Sequence, residues 1–288
     1  MRLAFCGSPA FAVPTLDALV AAGHDVALVV TRPHRRRRRG GPPEPTPVGL
    51  AAARHGIETT EAVGDLESAG CDLGVVVAYG ALVPASVLDV LTLINLHLSL
   101  LPRWRGAAPV ERAILAGDER TGVSLMRLEP TLDTGPVYAR AVTAVDRKPL
   151  GALRDELVAL GTALLVAMLA AGPDALPEPV PQVGEATVAA KVRDEELELA
   201  FDRPAVELER VVRLGRARTR AEGRRLVVTA ADVVADAAGE PGALNGDVVT
   251  CGAGGLRLVR VIPEGRREMP LASWRNGLRD RVPARLGV

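Results

Sequence analysis

Asn95 and His97 place a carboxamide and an imidazole two positions apart, at the end of the largely apolar run 90–94. In extended backbone, side chains at i and i+2 leave the same face. Both would therefore converge just beyond a strand tip, where open α/β sheets take up their ligands. A neutral N–H donor suits a carbonyl whose oxygen must carry negative charge, and an imidazole titrates near neutrality and can relay a proton. The chemistry this pair would do is acyl-type transfer. Asp133, in the loop Leu132-Asp133-Thr134-Gly135, offers the carboxylate that could orient the ring and accept a proton through water. Taken singly, each residue has a plainer use: Asn as a cap, His as a hydrogen-bonded core residue, Asp before Thr-Gly as a turn former.

The surrounding pattern is suited to positioning such a group. Residues 3–6, 26–31 and 73–78 read as apolar strands, and residues 13–22, 47–55 and 84–89 as helices between them. A strand ending near His97 is followed by a helix at 109–116, strands at 122–128 and 136–145, and a long helix at 150–171. Alternation of this kind, with Val- and Leu-rich strands, predicts an α/β fold: a Rossmann-like, mainly parallel sheet with helices on both faces. Residues 172–184 contain four prolines and read as a linker. Beyond them the pattern changes to a short helix at 205–213, a strand at 225–234, a turn at Asn245-Gly246-Asp247 and a strand at 256–262, a smaller β-rich domain. The expected division is 1–171, a connecting segment 172–202, and 203–288.

Composition narrows the class. Aromatic residues make up only 2% of 288 positions, so Val, Leu and Ala must fill the interior. Cys6, Cys71 and Cys251 are odd in number and far apart, which predicts reduced, mostly buried thiols. Cys and His show no metal-ligand spacing, so no metal is expected. The first residues read as a strand leading into Gly and Pro rather than as a signal peptide, and no apolar run reaches 18 residues; a cytoplasmic location is expected. Net charge is zero but uneven: residues 1–202 carry 19 basic and 25 acidic side chains, residues 203–288 carry 16 and 10. A basic C-terminal third fits contact with a polyanion. The segment 7–11 after the first strand lacks G-x-G-x-x-G, and no dinucleotide is inferred.

The run Asn95-Leu96-His97-Leu98-Ser99-Leu100-Leu101-Pro102, continued by Arg105-Gly106-Ala107-Ala108-Pro109, resembles the signature of the folate-dependent formyltransferase family. The resemblance extends in order through Phe5-Cys6-Gly7-Ser8-Pro9, Val77-Ala78-Tyr79-Gly80, Thr121-Gly122-Val123 and Leu132-Asp133-Thr134-Gly135. It implies Asn95, His97 and Asp133 as the catalytic trio. It also implies 10-formyltetrahydrofolate as co-substrate, held near Ser99, Leu100, Leu101 and Pro102 and near Ala78, Tyr79 and Gly80. The resemblance implies an OB-like C-terminal domain, and the second half of the signature resembles the branch whose acceptor is initiator methionyl-tRNA; a monomer is expected. Glycinamide-nucleotide and amino-sugar formylation would use the same trio, and so would a formyl-folate hydrolase. The basic residues favour RNA: Arg35, Arg36, Arg37, Arg38 and Arg39 occupy the position of a tRNA-contacting insertion, and Arg216 and Arg218 lie in a second basic stretch.

Overall fold

The computed structural model describes residues 1–33, 44–278 and 282–287. The arginine run 35–39 lies outside the described residues. The chain forms two compact units: Met1–Pro109, Arg120–Ala144 and Arg154–Ala190 make the first, and Val110–Glu119, Val145–Leu153 and Lys191–Val288 the second.

The first unit is built on β1 (Arg2–Gly7), β2 (Asp25–Val30), β3 (Glu58–Thr60), β4 (Leu73–Val77), β5 (Leu93–His97), β6 (Arg105–Gly106), β7 (Arg120–Arg127), β8 (Val137–Ala144) and β9 (Val188–Ala189). Its helices are α1 (Val13–Ala21), α2 (Pro47–Arg54) and α3 (Ala85–Val90); α4 (Pro109–Ala116) and α5 (Leu150–Leu169) run across the division between units. Seven strands form one sheet in the order β3-β2-β1-β4-β5-β7-β8. The first five are parallel, while β7 and β8 run antiparallel. Successive residues Leu3, Ala4, Phe5 and Cys6 are all fully buried, so both faces of β1 are covered. A strand buried on both sides has no polar face to show, which is why it reads as a continuous apolar run. Helix α2 starts where Thr46 Oγ1 accepts from Gly49 N at 3.0 Å, with Pro47 supplying the fixed φ of the first turn.

Strand order reverses between β1 and β4, the crevice position for ligands in such sheets. There Ser8 Oγ donates to Tyr79 O at 3.4 Å and accepts from Arg32 N at 3.1 Å, tying together the carboxyl ends of β1, β4 and β2.

The second unit contains α6 (Ala205–Arg213), β10 (Ala217–Ala221), β11 (Arg224–Val234), β12 (Leu244–Asn245), β13 (Val248–Thr250), β14 (Gly255–Pro263), β15 (Met269–Pro270) and α7 (Leu271–Leu278). Its six-stranded sheet is antiparallel throughout, in the order β10-β11-β14-β13-β12, with β15 also paired to β14. The β-rich character expected for this part is present. Strand β10 lies inside the stretch that reads as simply basic: Ala217, Thr219 and Ala221 point inward, and Arg218 and Arg220 outward. Its apolar positions are small, so the alternation is muted.

Cys6 and Cys251 are buried free thiols, and burial pushes them up to about 12 and about 11; Cys71 is half-buried and also raised, chiefly by desolvation. Among the described residues, no helix is long and apolar enough to cross a membrane.

Candidate active site

β5 delivers Asn95 and His97 at its carboxyl end, where β7 pairs Asn95 with Met126 and His97 with Ser124. Ser124 fixes the turn that follows: its Oγ donates to Ser99 O at 2.7 Å and accepts from Leu101 N at 3.1 Å. Ser99 in turn donates to Arg103 O at 2.6 Å. The chain thus leaves β5 along one defined path, and the segment 103–106 returns beside the strand tip.

Three side chains meet there. Asn95 Nδ2 donates to Asp133 Oδ1 at 3.5 Å, and His97 Nδ1 lies 3.7 Å from Asp133 Oδ2. The first is at the long limit of a hydrogen bond, and the second is an ion-pair separation beyond one. Side chains of His97 and Asp133 are 6% and 7% exposed, so electrostatic interactions between them are screened far less than in water. His97 Nε2 is 2.9 Å from Trp104 O. A carbonyl only accepts, so Nε2 carries the hydrogen, and Nδ1 is the nitrogen that faces the carboxylate. The backbone at Trp104 has φ 62°, a left-handed turn that aims this carbonyl at the ring.

Asp133 is held from two directions. Gly106 N donates to its Oδ2 at 2.8 Å, and Gln182 Nε2 donates to its main-chain O at 2.9 Å. Its backbone is left-handed, φ 53°, an arrangement Asp tolerates better than most residues. Gly135 closes the same loop: a Cβ there would sit 1.9 Å from Arg127 O.

The segments expected to hold the co-substrate differ in how they present themselves. Ser99, Leu101 and Pro102 are buried, and Leu100 is half-buried over Gly122, where a Cβ would come within 2.5 Å of its Cδ2. The backbone of this segment is largely committed within the protein: Ser99 O and Leu101 N bond Ser124, Leu101 O accepts from Arg140, Leu100 O from Arg103 N and Pro102 O from Thr187 N. Tyr79 is buried, while Ala78 and Gly80 on either side are exposed and turn with φ 49° and 79°. Arg216 is exposed, with no ion pair among the described residues. Arg218 is engaged: its Nε donates to Glu198 Oε1 at 2.5 Å and its Nη2 to Asp194 O at 2.8 Å. Residues 35–39 are outside the described residues.

Trp104, Gly106, Gln182 and Thr187 belong to this surround; Trp104 and Gly106 lie in the signature segment but carry no role that sequence assigns, and Gln182 and Thr187 are not marked by sequence at all. Thr187 Oγ1 accepts from Trp104 N at 2.9 Å and its O accepts from Arg105 N at 2.8 Å. A lone Gln between Pro181 and Val183 was the available signal, but a proline-rich context conceals a side chain that works by hydrogen bonding.

A mainly parallel sheet whose central strand tip gathers an amide, an imidazole and a carboxylate marks this as a formyl transferase fold, and the family model described as "Formyl transferase" matches residues 1–169. A methionyl-tRNA formyltransferase from Novosphingobium aromaticivorans is 46% identical over 100% of both chains. The chain belongs to the methionyl-tRNA formyltransferase family. Among solved structures, the methionyl-tRNA formyltransferase of Clostridium thermocellum aligns with TM-score 0.58 and 15% identity, over 81% of this chain and 93% of that one. HypX from Aquifex aeolicus, in complex with tetrahydrofolic acid, aligns with TM-score 0.68 and 16% identity, over 97% of this chain and 47% of that one. At such identities the two structures speak for the fold.

Proposed function

We propose that this protein transfers the formyl group of 10-formyltetrahydrofolate to the amino group of initiator methionyl-tRNA, as a cytoplasmic monomer acting in translation initiation. The convergence of Asn95, His97 and Asp133, in a chain that matches methionyl-tRNA formyltransferases over its whole length, carries the reading. Residues 1–171 are assigned as the catalytic domain, 172–202 as the connection and 203–288 as the tRNA-binding domain. Arg35, Arg36, Arg37, Arg38, Arg39, Arg216 and Arg218 are assigned to the tRNA, as phosphate contacts.

The residues present fit a folate. Tyr79, Val83 and Leu128 pack on one apolar cluster with Val76 and Leu93, and Ala78 and Gly80 beside it turn with positive φ and have little or no side chain. An apolar floor flanked by accessible peptide groups suits a flat heteroaromatic ring with donors and acceptors on its edge. Ala78, Tyr79, Gly80, Ser99, Leu100, Leu101 and Pro102 would hold it.

Bound 10-formyltetrahydrofolate supplies an activated formyl carbonyl on a nitrogen leaving group. The protein contributes three services. Asn95 Nδ2 donates to the carbonyl oxygen as negative charge grows there, without changing its own protonation. His97, fixed by Trp104 O on one nitrogen, presents Nδ1 to the reacting atoms and to Asp133. Asp133 faces the imidazole and takes up the proton lost by the attacking amine, through water.

The test is formyl transfer from 10-formyltetrahydrofolate to charged initiator methionyl-tRNA, with free methionine and a glycinamide nucleotide in parallel. Product on the tRNA alone supports the assignment, and product on a small amine overturns it. Asn95→Ala, His97→Ala and Asp133→Ala are each expected to lose about two powers of ten or more in turnover. A His97→Ala enzyme near wild-type rate removes the mechanism.

A further inference from the structure

We propose that Gln182 is a positioning residue for formyl transfer, holding the Asp133 loop in register with the segment 104–106. The proposal rests on the reading of Asp133 as catalytic.

The observation is a fully used amide. Gln182 Nε2 donates to Asp133 O at 2.9 Å and to Gly135 O at 2.8 Å. Its Oε1 accepts from Arg105 Nε at 3.0 Å and Nη2 at 2.7 Å. Both amide hydrogens and both acceptor directions are thus committed. The reversed orientation would set Oε1 against two carbonyl oxygens and the NH2 against a guanidinium, so the network admits one orientation only. A half-buried side chain with four partners of this kind is rigid, and neutral-to-charged bonds such as that from Arg105 are the stronger sort.

What the amide joins gives it a purpose. Asp133 sits at φ 53°, a conformation that backbone preference alone does not hold for an L residue. Its carboxylate is fixed by Gly106 N, and its carbonyl by Gln182, whose other end grips Arg105, the neighbour of Gly106. Asp133 is therefore located relative to one short segment at two points. That segment also supplies the carbonyl of Trp104 to His97. Around it, β6 pairs with β9 at Arg105–Val188 and Gly106–Ala189, and Val137 bridges to Val180. Residues 180–189 form a strap, and Gln182 is its contact with the loop that bears the carboxylate. Without the amide, two peptide carbonyls lose their donor and a guanidinium loses its acceptor, while no group that touches the reacting atoms is removed.

Two variants test this, with Asp133→Asn measured beside them. Gln182→Ala removes all four bonds. Gln182→Glu keeps the length and the pairing with Arg105, but turns an oxygen towards the two carbonyls. Both are expected to lower kcat for formyl transfer to methionyl-tRNA by about tenfold or more, since displacement of a reacting group by about 1 Å can cost a hundredfold. KM for 10-formyltetrahydrofolate and for the tRNA should stay within about threefold, because the amide's donors and acceptor are all committed to protein groups. Wild-type kcat in both variants, or a loss confined to KM, overturns the proposal. So does a lowered melting temperature with unchanged kcat per folded molecule, which marks a merely structural role. An active Asp133→Asn enzyme removes the reading of Asp133; an inactive one beside normal Gln182 variants removes this inference alone.

Discussion

The amide N–H of Gly106 reaches Asp133 Oδ2 at 2.8 Å because position 106 has no side chain. Its φ is 122°, open to glycine and little else, and a Cβ there would stand 2.9 Å from Ala189 O. The glycine of the Arg-Gly-Ala-Ala-Pro run therefore permits two things at once: pairing with β9, and an N–H aimed at the carboxylate. Gly106→Ala should cost about 1–3 kcal/mol of stability through backbone strain. It should also lower kcat by about tenfold to a hundredfold through the displaced carboxylate. Urea unfolding and steady-state formyl transfer measure the two effects separately. A destabilised enzyme with normal kcat would show that the N–H contact has no catalytic consequence.

Charge and geometry at Asp133 can be separated by Asp133→Asn. Asn accepts a left-handed backbone as readily as Asp, so φ 53° and the Gln182 contact to the main-chain oxygen persist. One oxygen remains for Gly106 N. Stability should change by less than about 1 kcal/mol, while turnover falls by about a hundredfold for want of an anion to orient His97 and take a proton. Equal losses of stability and activity would point to collapse of the loop instead.

The sheet was legible in the sequence because strands such as β1 and β4 are buried on both faces and must be apolar throughout. Asn95 and His97 were legible because a period of two along a strand puts both on one face. The partners of Asp133 were not. Gly106 acts through its N–H, Trp104 through its carbonyl and Gln182 through an amide reaching 49 residues along the chain to Asp133. No local pattern encodes such bonds. β10 was missed for a different reason: Ala and Thr on its buried side carry little hydrophobic contrast with the arginines between them.

Arg216 and Arg218, two positions apart in a basic stretch, should behave differently. Arg218 is held by Glu198 and Asp194, so much of its charge is already compensated. Arg216 is exposed and without an ion pair among the described residues. Arg216→Ala should weaken tRNA binding and reduce the slope of log K against log salt by about 0.7–0.9, one phosphate contact. Arg218→Ala should change that slope less and lower the melting temperature more. The reverse ranking would mean that Arg218 exchanges its acidic partners for phosphate when tRNA binds.

The second unit carries an acid-sensitive element. Arg112 Nη1 and Nη2 donate to Glu196 Oε1 and Oε2 at 2.6 and 3.1 Å, and Arg193 N donates to Oε2 at 2.9 Å. Chiefly through the Arg112 hydrogen bonds, then the backbone N–H, the Glu196 carboxyl is held down from 4.5 to about 2. A depressed carboxyl binds its proton more weakly in the folded protein than in the unfolded chain. Its contribution is therefore full above about pH 4.5 and is lost as pH falls through about 2. The carboxylate side chain is 26% exposed, so solvent screening limits the contribution to about 1 kcal/mol. Glu196→Gln removes the ionisation and keeps the shape. Urea midpoints for wild type and variant should differ at pH 6 and converge towards pH 2. A gap of the same size at both pH values would assign the loss to packing around Arg112, with no part for the proton.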